Sequence, residues 1–290
     1  MPNLKFFHVE NFKKQLDFFE KEYGFVRKKD WEKFINSKEN PPKGVVLTFD
    51  DGLIDHYNFV LPILKERNIW GIFFICTQPI KNRTILNVHK IHYLLGRYNS
   101  VDIYNEFKKI LTDLNLISEL DKINDTIAYK NRNLDNYSLI IKKINYHFDQ
   151  NTQTIILDRL LRIFYLPNDT IWNNLYMNEK QIMEIKNAGN IIGGHSDSHS
   201  LLSKLDNEKQ KEEILESNKY LSKILQSEID CFSYPFGGNE SYNNKTINIL
   251  KESDIKYTFC VDSSDIINGE INFYEIPRYD CIEFEYGGIK

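Results

Sequence analysis

The feature that most limits how this chain can fold is the alternation of short β-like runs with helical patterns. VVLTF (45–49) gives way to HYNFVLPILKERN and then to GIFFI (71–75); further on come IIGG (191–194), DCFSY (230–234), YTFCV (257–261) and FYEIP (273–277). At the start, LKFFHV (4–9) precedes FKKQLDFFEKEYG, where Phe12, Leu16, Phe19 and Tyr23 recur at helical spacing. Strands that alternate with helices imply a largely parallel sheet, open or closed into a barrel. A helix predicted from Asn178 to Gly189 has end signals of its own: Asn178 and Gln181 stand in capping-box positions and Gly189 suits the C-terminal cap.

Between about residues 80 and 175 the β-like runs thin out. VDIYNEFKKILTDL puts Ile103, Phe107, Ile110, Leu111 and Leu114 on one face, and TIILDRLLRIFYL is a second apolar helix candidate. The expectation is one catalytic domain over 1–290 with a helical insertion at 80–175. A chain of 290 residues with 41% hydrophobic content can bury a core of that size. The net charge is −4 and no long basic block occurs, which excludes the electrostatic footprint of a nucleic-acid binder. MPNLKFFHVENFKKQLDFF is broken by charges every few residues, and nothing later reaches the length of a membrane span, so the expected location is cytoplasmic. The four cysteines, Cys76, Cys231, Cys260 and Cys281, form no CxxC pair and read as reduced, mostly buried thiols.

VVLTFDDG ends a hydrophobic run on two adjacent aspartates, Asp50 and Asp51. Alone, Asp-Gly marks a solvated turn. Two neighbouring carboxylates at a strand end repel one another unless a cation or a proton is shared between them. GGHSDSHS (193–200) offers partners: His195 and His199 are four residues apart and also follow a strand-like run. Two imidazoles with one carboxylate form a standard set for a catalytic divalent ion. Asp51, His195 and His199 complete that set, which leaves Asp50 to take a proton from water. FSYPFGG (232–238) is a third strand end, closed by a proline-glycine turn.

TFDDG, HSDSH and YPFG, in this order, resemble the polysaccharide deacetylase family, the NodB-homology carbohydrate esterases. VLPILKERNIWGIFFI is similar to the helix and second strand that follow the first motif. The resemblance covers roughly residues 1–80 and 176–281. It implies a distorted, partly open (β/α) barrel of about seven strands, with the site at the C-terminal strand ends. It implies Asp50 as general base and Asp51, His195 and His199 as ligands of one divalent ion, zinc first, with cobalt, nickel or iron as alternatives. The segment around Tyr234 is implied as an oxyanion donor through backbone N–H.

Two positions depart from the family pattern. Ser233 stands where the family commonly has an arginine, and Arg278, in EIPRYDC, is the candidate to supply that charge. Tyr234 and Arg278 are therefore the candidate substrate-side residues. The family's acid is a histidine near the C-terminus, yet none follows His199. His89 and His92, three apart in LNVHKIHYLLGR, are the candidates for that role, with Asp50 returning its own proton as the alternative. His8, His56 and His147 read as structural or solvent-facing. The expected substrate is an N-acylated amino sugar, nucleotide- or lipid-linked, in glycan synthesis. The alternatives are an O-acetyl esterase and an inactive glycan-binding relative.

Overall fold

The computed structural model describes residues 6–125, 135–164, 168–266 and 271–288. The chain divides into two compact units, one from Met1–Lys5 and Arg83–Asn173, the other from Phe6–Asn82 and Asn174–Lys290. We call them the helical unit and the barrel unit.

The barrel unit is built on five strands: β1 (Leu47–Phe49), β2 (Gly71–Ile75), β3 (Ile191–Gly194), β4 (Cys231–Ser233) and β5 (Tyr257–Phe259). Every pair is parallel and the sheet order is β1-β2-β3-β4-β5. Parallel neighbours need crossovers, and helices supply them: Leu61–Arg67 before β2, Glu179–Asn187 before β3, Ser217–Leu225 before β4 and Asn244–Lys251 before β5. The strand order never reverses, so the sheet has the winding of a partly open α/β barrel and lacks the switch point of a doubly wound sheet.

Both faces of this sheet are covered. Along β2, Phe73 and Ile75 join a core with Leu64, Ile182, Ile185, Leu221 and Leu250, while Ile72 and Phe74 join a second with Trp31, Phe34, Cys231, Tyr257 and Phe259. Successive strand residues point to opposite faces, which is why GIFFI reads as an unbroken apolar run. At the predicted capping box, Asn178 Oδ1 accepts from Gln181 N–H at 3.0 Å and Gln181 Oε1 accepts from Asn178 N–H at 2.9 Å.

Among the described residues the sheet has five strands, where about seven were expected. Residues 4 and 5 of LKFFHV lie outside the described residues, and Phe6–His8 lead straight into the helix Val9–Glu22, with His8 Nδ1 accepting from Glu10 N–H at 3.2 Å. There the helical spacing that buries Leu16 and Phe19 outweighs the β-like run. FYEIP runs beside β5 as the parallel bridge Phe259↔Ile276, with Ile276 N–H donating to the Thr258 carbonyl at 2.9 Å, Cys260 N–H to the Ile276 carbonyl at 3.0 Å and Thr258 N–H to the Phe273 carbonyl at 2.7 Å, without extending into a strand.

The helical unit packs Asn87–Arg97, Ser100–Asp113, Asn136–His147 and Gln150–Ile163 around a buried core of Ile91, Leu94, Ile103, Phe107, Leu111, Ile144, Ile156 and Leu160. Aspartates open two of these helices: Asp135 and Asp149 each accept from backbone N–H groups in the first turn. No described helix is long and apolar enough to cross a membrane.

Candidate functional site

The candidate residues of the barrel unit sit at the C-terminal ends of its strands. Asp50 and Asp51 follow β1, Cys76 follows β2, His195 follows β3, and Ser233 is the last residue of β4. Arg278 comes two residues after the Ile276 bridge to β5. The backbone there is held in conformations that L-residues rarely adopt. Asp51 (φ 76°), Ser196 (φ 61°), His199 (φ 58°) and Phe236 (φ 64°) are all in the left-handed region. Such positions cost free energy and persist only where surrounding contacts impose them. At the end of β3 the double glycine is required sterically, because a Cβ on Gly193 would lie 2.5 Å from the Phe74 ring.

Asp50 is gripped by Arg278. Nη1 donates to Oδ1 and Nη2 to Oδ2, both at 2.9 Å, a bidentate pair. The guanidinium also donates to Thr48 Oγ1 at 3.1 Å and to Ser233 Oγ at 2.8 Å, and it lies 5.7 Å from the Phe74 and Phe259 ring centres. The serine in the usual arginine position therefore contacts the arginine that reaches Asp50. Burial pushes the Asp50 carboxyl up, but the Arg278 charge, His195 and the Arg278 hydrogen bond together hold it below the ordinary carboxylate value. Burial works against the Arg278 charge, and Asp50 more than offsets it, so the guanidinium stays protonated.

Asp51 Oδ1 is 3.3 Å from His195 Nε2 and 3.4 Å from His199 Nε2. The Nδ1 of His195 lies 2.7 Å from the Ser233 carbonyl oxygen. A carbonyl only accepts, so Nδ1 carries a proton and Nε2 is the nitrogen that faces the aspartates. Burial pushes the His195 imidazole down, and Asp50 and Asp51 more than offset this, leaving it raised. Two carboxylates that draw positive charge to one buried point suit a divalent cation. Cys76, which reads from the sequence as an ordinary buried thiol, lies beside these groups. Its Sγ donates to the His195 carbonyl at 3.0 Å, and the ligand atoms of Asp51, Cys76 and His195 lie within 4.8 Å of one another. The available signal was its position, directly after a strand. The donor set fits a divalent ion: carboxylate Asp51, imidazoles His195 and His199, and the Cys76 sulfur beside them.

Tyr234 is buried, its N–H donates to the Phe259 carbonyl at 3.1 Å, and its hydroxyl donates to the Tyr274 carbonyl at 2.9 Å. Its ring stacks on Tyr242 at 3.9 Å, so Tyr234 belongs to the core and has its own N–H committed to the sheet. Two residues on, the Phe236 ring meets His199 edge-on at 4.6 Å. His89 and His92 lie on the helix Asn87–Arg97 of the helical unit, with ring centres 6.1 Å apart. His147 pairs with Glu119 at 2.9 Å and His56 packs against Phe49 and Phe73.

A family model described as polysaccharide deacetylase matches residues 37–111 and 163–258, more than half of the chain. No curated protein matches significantly. Among solved structures, the chain is similar to the Streptococcus pyogenes deacetylase PplD in complex with acetate (18% identity, TM-score 0.54, covering 93% of this chain and 79% of that one). It is similar also to the deacetylase domain of BpsB from Bordetella bronchiseptica (12%, TM-score 0.55, 92% and 82%). A third is a de-N-acetylase from Aggregatibacter actinomycetemcomitans (17%, TM-score 0.50, 93% and 82%). At these identities the likeness concerns the fold.

Proposed function

Because the chain belongs to the polysaccharide deacetylase family, we propose that it is a metal-dependent hydrolase that removes an N-acyl group, acetyl or formyl, from an amino sugar. The observation that carries this reading is the division of labour between adjacent aspartates. Arg278 keeps Asp50 ionised, and Asp51 stands between two imidazoles.

Asp51, His195 and His199 would hold the ion, with Cys76 next to them. When bound there, a divalent cation acidifies water and polarises an acyl oxygen. Asp50, with a depressed pKa and a fixed orientation, accepts the proton that water gives up as it adds to the acyl carbon. The bidentate fork of Arg278 keeps the Asp50 carboxylate from turning away, and Thr48 and Ser233 in turn fix the fork. Cleavage of the C–N bond needs that proton on the nitrogen. In this reading Asp50 hands on the proton it took from water, and the amine and the carboxylate leave as separate products. The reading extends to a cytoplasmic, nucleotide- or lipid-linked sugar intermediate of glycan synthesis.

The test is release of acetate and formate from a panel of N-acylated sugars, free and nucleotide-linked, with O-acetylated analogues alongside, before and after chelation. Release from N-acyl substrates that stops on chelation and returns with zinc or cobalt is the expected result. Release only from O-acetyl esters, or release unaffected by chelation, would overturn the reading.

A further inference from the structure

The turn that carries His199 has an unusual support. Ser196 and His199 are both left-handed, and the intervening residues turn a run of donors toward one acidic side chain, Glu213. Glu213 Oε2 accepts from Asp197 N–H at 3.1 Å and from Ser198 N–H at 2.9 Å. Its Oε1 accepts from Ser198 Oγ at 2.5 Å and, more distantly, from Ser200 Oγ at 3.4 Å. The same helical stretch supplies Ser217, whose hydroxyl donates to the Ser196 carbonyl at 3.0 Å, and Ser196 Oγ accepts from His199 N–H at 3.0 Å. Glu213 sits in a π-helical turn, Glu212–Glu216, inserted between the helices Asn207–Lys211 and Ser217–Leu225. Such a turn shifts side chains off the ordinary helical register, and it occurs often beside functional sites.

Resting on the metal-site reading above, we propose that Glu213 is a positioning residue for the metal ligand His199. Its carboxylate satisfies the donors of the 197–200 turn and so holds the left-handed backbone that brings His199 Nε2 to 3.4 Å from Asp51 Oδ1. Asp197 N–H, Ser198 N–H and Ser198 Oγ donate to it, while the Ser200 hydroxyl has Ser198 Oγ as its nearer partner at 2.7 Å, and an ionised carboxylate, which only accepts, meets that demand fully. An amide keeps one accepting oxygen for the two N–H groups. An apolar side chain leaves those N–H groups unsatisfied, and the turn relaxes.

The experiment compares cobalt and zinc affinity, by competition with a chromophoric chelator, in wild type, Glu213→Ala and Glu213→Gln. The melting temperature of chelator-stripped protein serves as the control for folding. Loss of a group bonded directly to a metal ligand weakens binding by about 10- to 100-fold; Glu213 acts through the turn, so about 10-fold, the lower end of that range, is expected for Glu213→Ala in protein that is still folded. Glu213→Gln should recover most of it. Should Glu213→Ala fail to fold, Glu213→Met, which fills the space without an acceptor, carries the same expectation. Wild-type affinity in folded Glu213→Ala or Glu213→Met would overturn the positioning role alone. Wild type that takes up neither ion would overturn the metal reading itself, and this inference with it.

Discussion

Replacing Asp50 with asparagine removes the proton acceptor while keeping its shape, so Asp50→Asn should retain the ion and lose about 10²- to 10⁴-fold in turnover. Asp51→Asn should instead weaken metal uptake, because Asp51 Oδ1 faces the Nε2 atoms of both imidazoles, at 3.3 and 3.4 Å. Metal analysis beside single-turnover rates separates the two, and swapped phenotypes would mean that the roles are exchanged. Arg278 gives a pH prediction. Burial alone would raise the Asp50 pKa, and the guanidinium is the largest influence opposing it. Without that charge the carboxylate protonates at higher pH, so in Arg278→Ala the acidic limb of the kcat/KM profile should move upward and the rate at neutral pH should fall. Arg278→Lys keeps a charge but not the two-pronged contact, and should lie between. An acidic limb that stays in place in Arg278→Ala would show that Arg278 does not set the base.

Among the elements, the helix caps are the most direct to test. Asp149 Oδ1 accepts from Asn151 and Thr152 N–H at 3.0 and 3.1 Å, and its Oδ2 accepts from Thr152 Oγ1 at 2.6 Å. Asp149→Ala should cost about 1 kcal/mol of stability in the helical unit. The sign with pH follows from the Thr152 hydroxyl and backbone bonds, which hold the folded carboxyl below its unfolded value of about 3.9. The stabilisation is complete above that unfolded value and disappears as pH falls through the lower, folded one. Melting curves of wild type and variant should therefore differ at neutral pH and converge in acid, and a constant gap would place the effect outside the cap. What was legible at this scale was local. VVLTF, GIFFI and the Asn178–Gln181 capping box declare themselves through burial pattern and end chemistry. LKFFHV and FYEIP carry the same β-like composition, yet sheet pairing depends on a partner edge that composition does not encode. The Asp50–Arg278 pair spans 228 positions, and Glu213 sits in EEILE, which reads as a solvated helix face until the turn it supports is seen beside it.

At the scale of the whole molecule, each unit has its own apolar core, and Asp50, Asp51, Cys76, His195, His199 and Arg278 all belong to the barrel unit. A ligand that binds only the native form of a unit stabilises that unit by mass action, by about 2.7 kcal/mol at 100 times its Kd. For a unit of roughly 150–250 residues, each kcal/mol raises the melting temperature by about 2–4 °C, so a shift of about 5–10 °C is expected. The tryptophans allow this to be read for the barrel alone. Trp31 and Trp70 are in the barrel unit and Trp172 is in the helical unit, so fluorescence from a Trp172→Phe variant reports the barrel unit. Adding zinc or cobalt to chelator-stripped Trp172→Phe protein should raise that transition by the stated amount. Adding His199→Ala to the same background should remove most of the rise, because one of the two imidazoles beside Asp51 is lost. A barrel transition that stays in place at saturating ion, or one that rises equally without His199, would take the ion away from the ends of β1 and β3.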